Sequence, residues 1–172
     1  MPLTLIKETG AGLVDANSYA AVADGDAYHD GHLYASAWTA ASADQKAVAL
    51  VMASRLIDAE YQFGGTRAVA TQSLQWPRRQ CRIPDDDNDL AEIMVPKAVL
   101  QATCELAREL IVADRTAAPA GEGLKYYNNA GVQTGYDKAD TRPVIPKLVQ
   151  TMLSKYGALI SAKSGAVKLV RV

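Results

Sequence analysis

Cysteine, phenylalanine and long apolar runs are all scarce in this sequence of 172 residues. The two cysteines, Cys81 and Cys104, have no neighbouring cysteine, which excludes a disulfide scaffold, a zinc knuckle and a Cys-x-x-Cys redox pair. No segment approaches the roughly 18 uninterrupted apolar residues that a membrane-spanning helix needs. We therefore expect no membrane span and a reducing compartment. Cys104 is expected to pack inside a helix as a small apolar residue.

Patterns that indicate catalysis are also missing. The sequence has no Gly-x-Ser-x-Gly motif and no Walker loop, and neither histidine belongs to a familiar acid–base–nucleophile set. Gly10-Ala11-Gly12 lacks the third glycine of a dinucleotide-binding turn, because Asp15 stands in its place. The sequence therefore predicts that the protein is not an enzyme.

The two histidines, His29 and His32, are candidate ligands of a metal ion. Asp26 and Asp30 lie nearby and could add oxygen ligands, but a zinc site usually takes four ligands and no third histidine is present. Two solvated histidines are the simpler interpretation. We predict no metal and no cofactor.

Three acidic residues, Asp85, Asp87 and Asp89, have the spacing of the first ligands in a calcium loop. That loop also needs Gly and Glu where this sequence has Leu90 and Pro96, so the match fails. A solvated turn is the favoured interpretation, with a loose cation site or a contact with a basic partner as the alternatives.

The charge is unevenly distributed, although the net charge is only −1. Residues 1–60 hold three basic and eight acidic side chains, a balance of −5; residues 61–140 hold nine and eleven, a balance of −2. Residues 141–172 hold six basic side chains and no acidic one, a balance of +6. Such a chain suits head-to-tail contact or a basic tail that binds a partner, with chance as the alternative.

Abundant alanine and capped apolar stripes predict a mainly α protein, a small helical bundle with a β-hairpin and an extended C-terminal tail. Ser42 and Gln45 form a capping box at the start of the second helix. About four helices are expected near residues 22–31, 43–61, 96–114 and 146–157, and a hairpin at about 124–136. The predicted division is a helical domain, residues 1–157, and a docking tail, residues 158–172.

The stripes also predict which faces are buried. In the second helix, Asp58 falls opposite the apolar stripe and should face solvent. In the fourth helix, Gly157 should act as the C-terminal cap. The predicted apolar face of that helix consists of Leu148, Val149, Met152, Leu153 and Tyr156.

A long loop, residues 64–95, holds a cluster of basic and aromatic residues. Trp76 is predicted to be buried and to anchor the loop on the second and third predicted helices, with stacking on a nucleic-acid base as the alternative. Arg78, Arg79 and Arg82 are predicted to be surface groups that contact a neighbouring subunit or DNA phosphates.

The C-terminal segment combines basic and aliphatic side chains and is predicted to dock on a partner. Adding a short strand to an exposed sheet edge is the expected mode, and a disordered terminus is the alternative. The predicted docking residues are Lys163, Val167, Lys168, Leu169, Val170, Arg171 and Val172.

An ordered set of segments spans residues 12–110. The most specific segment is Gln72-Ser73-Leu74-Gln75-Trp76-Pro77-Arg78, followed by Val95-Pro96-Lys97-Ala98-Val99 and Ala102-Thr103-Cys104-Glu105-Leu106-Ala107. Before them come Gly12 to Tyr19, Ala23 to Tyr28, Arg55 to Asp58 and Gly65-Thr66-Arg67. Taken together, these segments resemble the head–tail connector (adaptor, or head-completion) proteins of tailed bacteriophages, a group of which part is catalogued as "DnaT-like" single-stranded DNA-binding proteins.

This resemblance implies a virion protein that forms a ring, commonly of twelve subunits, beneath the portal and extends the DNA channel towards the tail. The implied partners are the portal protein, neighbouring adaptor subunits, tail or nozzle proteins and the genomic DNA that passes through non-specifically. Assembly in the host cytoplasm and a final place at the virion neck are implied, with no catalytic residue and no membrane.

A DnaT-like accessory protein that binds single-stranded DNA is the alternative function. The net charge of −1 and the single phenylalanine weigh against it, because strand-binding proteins use basic grooves with several stacking aromatics. Because the sequence contains eight tyrosines, which are stacking aromatics, this alternative function stays open.

Overall fold

The computed structural model describes residues 3–81, 94–117, 126–129, 132–135 and 142–160. The mainly α class is confirmed: this part of the chain contains five helices and three small two-stranded sheets. The helices are α1 (Val22–His29), α2 (Ser36–Ala40), α3 (Ala43–Glu60), α4 (Lys97–Val112) and α5 (Lys147–Leu153). The short α2 was not predicted. No helix within the described ranges is long and apolar enough to span a membrane.

The longest helix, α3, begins where the capping box predicts. The Gln45 amide donates to the Ser42 hydroxyl at 3.3 Å, and the Ser42 amide donates to the Gln45 side chain at 2.9 Å. One stripe of α3 then packs on α4 and forms the centre of the core. Leu50 and Ile57 from α3 and Leu106 from α4 are completely buried there. The α3–α4 pair is therefore the scaffold of the fold.

Helix α1 packs on α2 through a glycine. A Cβ at Gly25 would lie 2.4 Å from Cζ2 of Trp38, so the indole of α2 occupies the space that a side chain would need. The Trp38 Nε1 group donates to Asp26 at 2.8 Å, and the Lys46 ammonium contacts the same carboxylate at 2.8 Å. Gly25 therefore serves close packing, although a glycine lowers intrinsic helix propensity.

The strands pair in three antiparallel ladders. β1 (Tyr61–Phe63) pairs with β6 (Gly157–Leu159), and β2 (Thr66–Arg67) pairs with β3 (Arg78–Arg79). The predicted hairpin is present as β4 (Tyr126–Asn129) and β5 (Val132–Gly135).

The end of the fourth predicted helix differs from expectation. Helix α5 ends at Leu153, and Gly157 opens β6 instead of capping a helix. A Cβ at Gly157 would lie 2.5 Å from the Gln62 carbonyl oxygen, so glycine permits the close pairing with β1. Of the predicted docking tail, residues 158–160 are described and belong to β6 and the position after it, whereas residues 161–172 lie outside the described residues.

Candidate nucleic-acid interface

The short ribbon formed by β2 and β3 carries Arg78 and Arg79 of the predicted arginine cluster, together with Arg67. Thr66 pairs with Arg79, and Arg67 pairs with Arg78. Residues 61–81 contain these three arginines and no acidic residue. The ribbon is therefore a local concentration of positive charge on a chain whose net charge is −1.

A buried glutamine shapes the loop between the two strands. The Gln72 side chain accepts from the Val69 amide at 2.9 Å and donates to the carbonyl oxygens of Leu74 and Pro77 at 2.8 and 3.0 Å. Gln72 is only 2% exposed. The Gln72 side chain therefore supplies hydrogen-bond donors and acceptors to backbone groups that are not paired in a regular strand ladder.

A glycine brings the two strands of the ribbon close together. Gly65 has a φ of +68°, and a Cβ there would lie 2.1 Å from the Arg79 carbonyl oxygen. Both observations require glycine at this position. The segment predicted to be an irregular loop therefore has a defined shape over its described part.

The prediction that Arg78 is a surface group is wrong. Arg78 is 7% exposed, and its guanidinium donates to the carbonyl oxygens of Phe63, Gly64 and Gly65 and to both the carbonyl and the side-chain oxygen of Gln75. The five distances lie between 2.6 and 3.3 Å. Burial lowers the pKa of Arg78 below its ordinary value. Its donors are used inside the fold.

The exposed arginines of the ribbon are Arg67 and Arg79. The Arg67 Nη1 group donates to the Gln72 carbonyl oxygen at 3.0 Å, so one end of its guanidinium is held by the loop while the residue stays exposed. Arg82, the third arginine of the predicted cluster, lies outside the described residues. A guanidinium fork at the surface suits phosphate oxygens.

Trp76 is completely buried, as expected for a residue that anchors a loop. Its indole packs edge-on against Phe63 of β1 and against Tyr156, with ring centroids 5.5 and 6.0 Å apart. The Trp76 amide donates to the Tyr19 hydroxyl at 3.2 Å. A side chain with no accessible surface cannot stack on a base, so the alternative role of Trp76 is excluded in this conformation.

Asp58 also lies elsewhere than predicted, since it faces the loop and not open solvent. Its carboxylate accepts hydrogen bonds from the Tyr19 hydroxyl and, at 2.9 Å, from the Gln75 amide. Burial raises the pKa of Asp58 to about 6, although these two hydrogen bonds and the nearby Arg78 act in the opposite direction. The carboxylate connects α3 to the segment that carries Trp76.

The histidines are not solvated in the way the sequence suggested. His29 is 3% exposed, and its Nε2 lies 3.1 Å from the Cys104 carbonyl oxygen. Nε2 of His32 lies 3.6 Å from the carboxylate of Glu105, which is itself buried. Burial lowers the pKa of His29. Within the part of the chain that the structure describes, no group of His, Cys, Asp and Glu residues could hold a metal ion.

Both cysteines are buried and unpaired with each other. Cys104 lies inside α4, as predicted, and burial raises the pKa of its thiol to about 12. A thiol in that state is unreactive at neutral pH.

Sequence reasoning missed Glu8, which organises the N-terminal segment. One carboxylate oxygen accepts from the amides of Gly10 and Gly12 and the other from Leu13, each at 2.9 Å. Both glycines have positive φ angles, 97° and 72°. An acid followed by Gly-x-Gly was the available signal, because such a turn presents several amides to one anion.

Other predicted sites lie outside the described residues: the acidic run Asp85, Asp87 and Asp89, and the docking residues Lys163, Val167, Lys168, Leu169, Val170, Arg171 and Val172.

The model of a family described as "Putative DnaT-like ssDNA binding protein" matches residues 3–172, nearly the whole chain. No curated protein and no solved structure matches significantly. The family description names single-stranded DNA, and it does not mention a connector.

Proposed function

Because the chain belongs to this DnaT-like family, whose model covers residues 3–172, we propose that the protein binds single-stranded DNA. The family match is the observation that carries the proposal. The family match favours the alternative function from the sequence analysis, binding of single-stranded DNA, and not the connector ring. Neither function includes a catalytic step.

The β2–β3 ribbon is the surface that suits this function best. Arg67 and Arg79 are exposed on a segment, residues 61–81, that contains no acidic side chain to repel a phosphate. Arginines on an exposed ribbon bind the sugar–phosphate backbone, which is the same for every sequence. Since Trp76 and Arg78 are buried, the contact in this region consists of phosphate pairing and not of stacking.

Fluorescence anisotropy with a labelled oligothymidylate at several salt concentrations tests the proposal. We expect affinity to fall with salt, with a slope of about −0.7 for each phosphate contacted. Replacing both Arg67 and Arg79 with Gln should weaken binding and reduce the slope by about 1.4. Lys97→Gln is the matched control, because Lys97 is exposed at the start of α4, outside the ribbon.

Two results would contradict the proposal. One is the absence of binding at low salt by the unmodified chain. The other, which would reject the ribbon, is equal binding by the double variant and the Lys97→Gln control.

A second candidate is the head–tail connector ring, with the portal and tail proteins as partners and the virion neck as its location. The observation that favours it is the ordered set of segments between residues 12 and 110 that resembles connector proteins. Co-purification with a portal protein is the test, comparing the full chain with a chain lacking residues 164–172. We expect the truncated chain to fold and to lose stable attachment. Equal attachment by both chains would reject the docking role of the tail, and no attachment by either would reject the connector function.

A further inference from the structure

An apolar groove runs between the first half of α3 and the end of α4. We propose that this α3–α4 groove binds the exposed face of α5 from a second copy of the chain. The groove has a volume of about 390 Å³. Its lining residues are Asp44, Gln45, Val48, Ala49, Met52, Leu110 and Ile111.

The chemistry of the groove limits what can fill it. Val48 is 52% exposed in the groove, and Val112, the next residue after Ile111, is 64% exposed. Covering such side chains removes apolar surface from contact with water, which favours association. Asp44 is the charged residue among the described residues that line the groove, and none of these is basic. A fitting partner therefore presents an apolar side chain beside a positive charge.

Helix α5 presents that combination. Val149 and Leu153 are buried in the core, whereas Leu148 points away and is 53% exposed, contrary to its predicted place on the apolar face. Lys147 precedes it and is also exposed. Helix α5 itself contains Lys147 and no acidic residue, so this face carries a charge complementary to Asp44.

A second apolar projection, in the connection between α1 and α2, fits the groove less well. Leu33 and Tyr34 are 85% and 73% exposed. The acid Asp30 lies close to them in the chain, and it would approach Asp44 with a charge of the same sign. Like charges brought together oppose association.

The groove and the α5 face are different surfaces of one molecule. Contacts between them are therefore heterologous, so each added copy exposes a new groove or a new α5 face at the ends of the assembly. Such contacts build an open chain or, if the rotation closes, a ring. This association does not depend on the proposed DNA binding.

Sedimentation velocity of the full chain without DNA, up to about 1 mM protein, tests the contact. We expect association that weakens at least about tenfold in Val48→Glu, which blocks the groove, and in Leu148→Glu, which blocks the α5 face. Val14→Glu is the control, since Val14 is also highly exposed, at 70%, and lies on neither surface. Circular dichroism of each variant establishes that the helices are retained.

Mixing the two blocked variants gives the sharpest result. The Val48→Glu chain keeps its α5 face and the Leu148→Glu chain keeps its groove, so the mixture should form a one-to-one dimer and nothing larger. The proposal is overturned by a wild-type monomer at all concentrations, or by a mixture that remains monomeric. It is also overturned if Leu33→Glu abolishes association and Leu148→Glu does not, because the α1–α2 connection would then be the occupant.

Discussion

Polar side chains are buried both in the loop of residues 61–81 and at the contact between α1 and α4. The hydrogen-bond partners of these side chains differ between the two regions. In the loop, the side chains of Gln72 and Arg78 bond mainly to backbone groups, most of them carbonyl oxygens. Where α1 meets α4, the carboxylate of Glu105 lies 2.5 Å from Arg108 of the same helix and 3.6 Å from His32, which follows the end of α1. Among the residues that the structure describes, the buried atoms His29 Nδ1, Glu105 Oε2 and Arg108 Nε have no hydrogen-bond partner there.

This difference indicates where stability depends on single side chains. A helix satisfies its own backbone, whereas a loop must obtain donors and acceptors from side chains. Removing a loop side chain therefore leaves several buried carbonyl groups unsatisfied. Removing Glu105 from the α1–α4 contact affects mainly other side chains, those of Arg108 and His32. We expect the loop variants to lose more stability.

The largest effect is expected for Trp76→Ala. The substitution removes a completely buried indole from between Phe63 and Tyr156 and should lower the free energy of unfolding by about 3–5 kcal/mol. Trp76→Phe should lose less, because it keeps an aromatic ring and removes an Nε1 group that has no hydrogen-bond partner among the described residues. Urea denaturation followed by circular dichroism measures both. A loss below about 1 kcal/mol for Trp76→Ala would contradict the importance of this anchor.

Substitutions of the neighbouring residues Arg78 and Arg79 should distinguish the contribution of a buried arginine to stability from that of an exposed one. Arg78→Ala removes five hydrogen bonds from a buried position and should cost about 2–4 kcal/mol, since buried acceptors are left without donors. Arg79→Ala, at an exposed position, should stay within about 0.5 kcal/mol of the wild type. Equal losses in the two variants would show that the hydrogen bonds of Arg78 do not hold the loop.

The sequence predicted what depends on local pattern. Ser42 and Gln45 marked the start of α3 correctly, and the hairpin lies where its turn residues placed it, because both signals act within a few residues. The mainly α class followed from the apolar stripes.

What the sequence did not predict depends on contacts between distant segments. Arg78 looked like a surface group because its acceptors are backbone carbonyls, which no residue letter reveals. Asp58 lies on the polar side of α3 by periodicity, yet Tyr19 and the loop cover it. Gly25 predicted a weak helix, and only the position of the Trp38 ring shows why a glycine is needed there.

The carboxyl group of Asp58 should make the stability of the loop depend on pH. Its pKa in the folded protein is about 6, above the ordinary value of 3.8, mainly because of burial. A raised pKa favours the protonated form in the folded state, so this contribution is fully present below about pH 4 and is lost as the pH rises through about 6. The amount is about 2–3 kcal/mol.

The comparison between the wild type and Asp58→Asn isolates this contribution. The amide has nearly the same shape and does not titrate, so the difference in unfolding free energy between the two proteins should change between about pH 4 and pH 6 and be flat above about pH 7. A constant difference across that range would mean that Asp58 does not titrate in this way.

The smallest loss of stability is expected for a substitution in a helix, Gly25→Ala in α1. Alanine favours a helix over glycine by up to about 1 kcal/mol. The new Cβ would lie 2.4 and 2.7 Å from two carbons of the Trp38 ring, closer than real contacts allow, so the indole must move. Because overpacking usually costs about 1–3 kcal/mol, the steric term should exceed the helix gain and leave a net loss of about 1–2 kcal/mol. Gly31→Ala is the matched control, since a Cβ there meets nothing nearer than the Tyr28 carbonyl oxygen at 3.8 Å. Thermal unfolding of the two variants compares them directly, and a more stable Gly25→Ala protein would show that α1 and α2 can separate without cost.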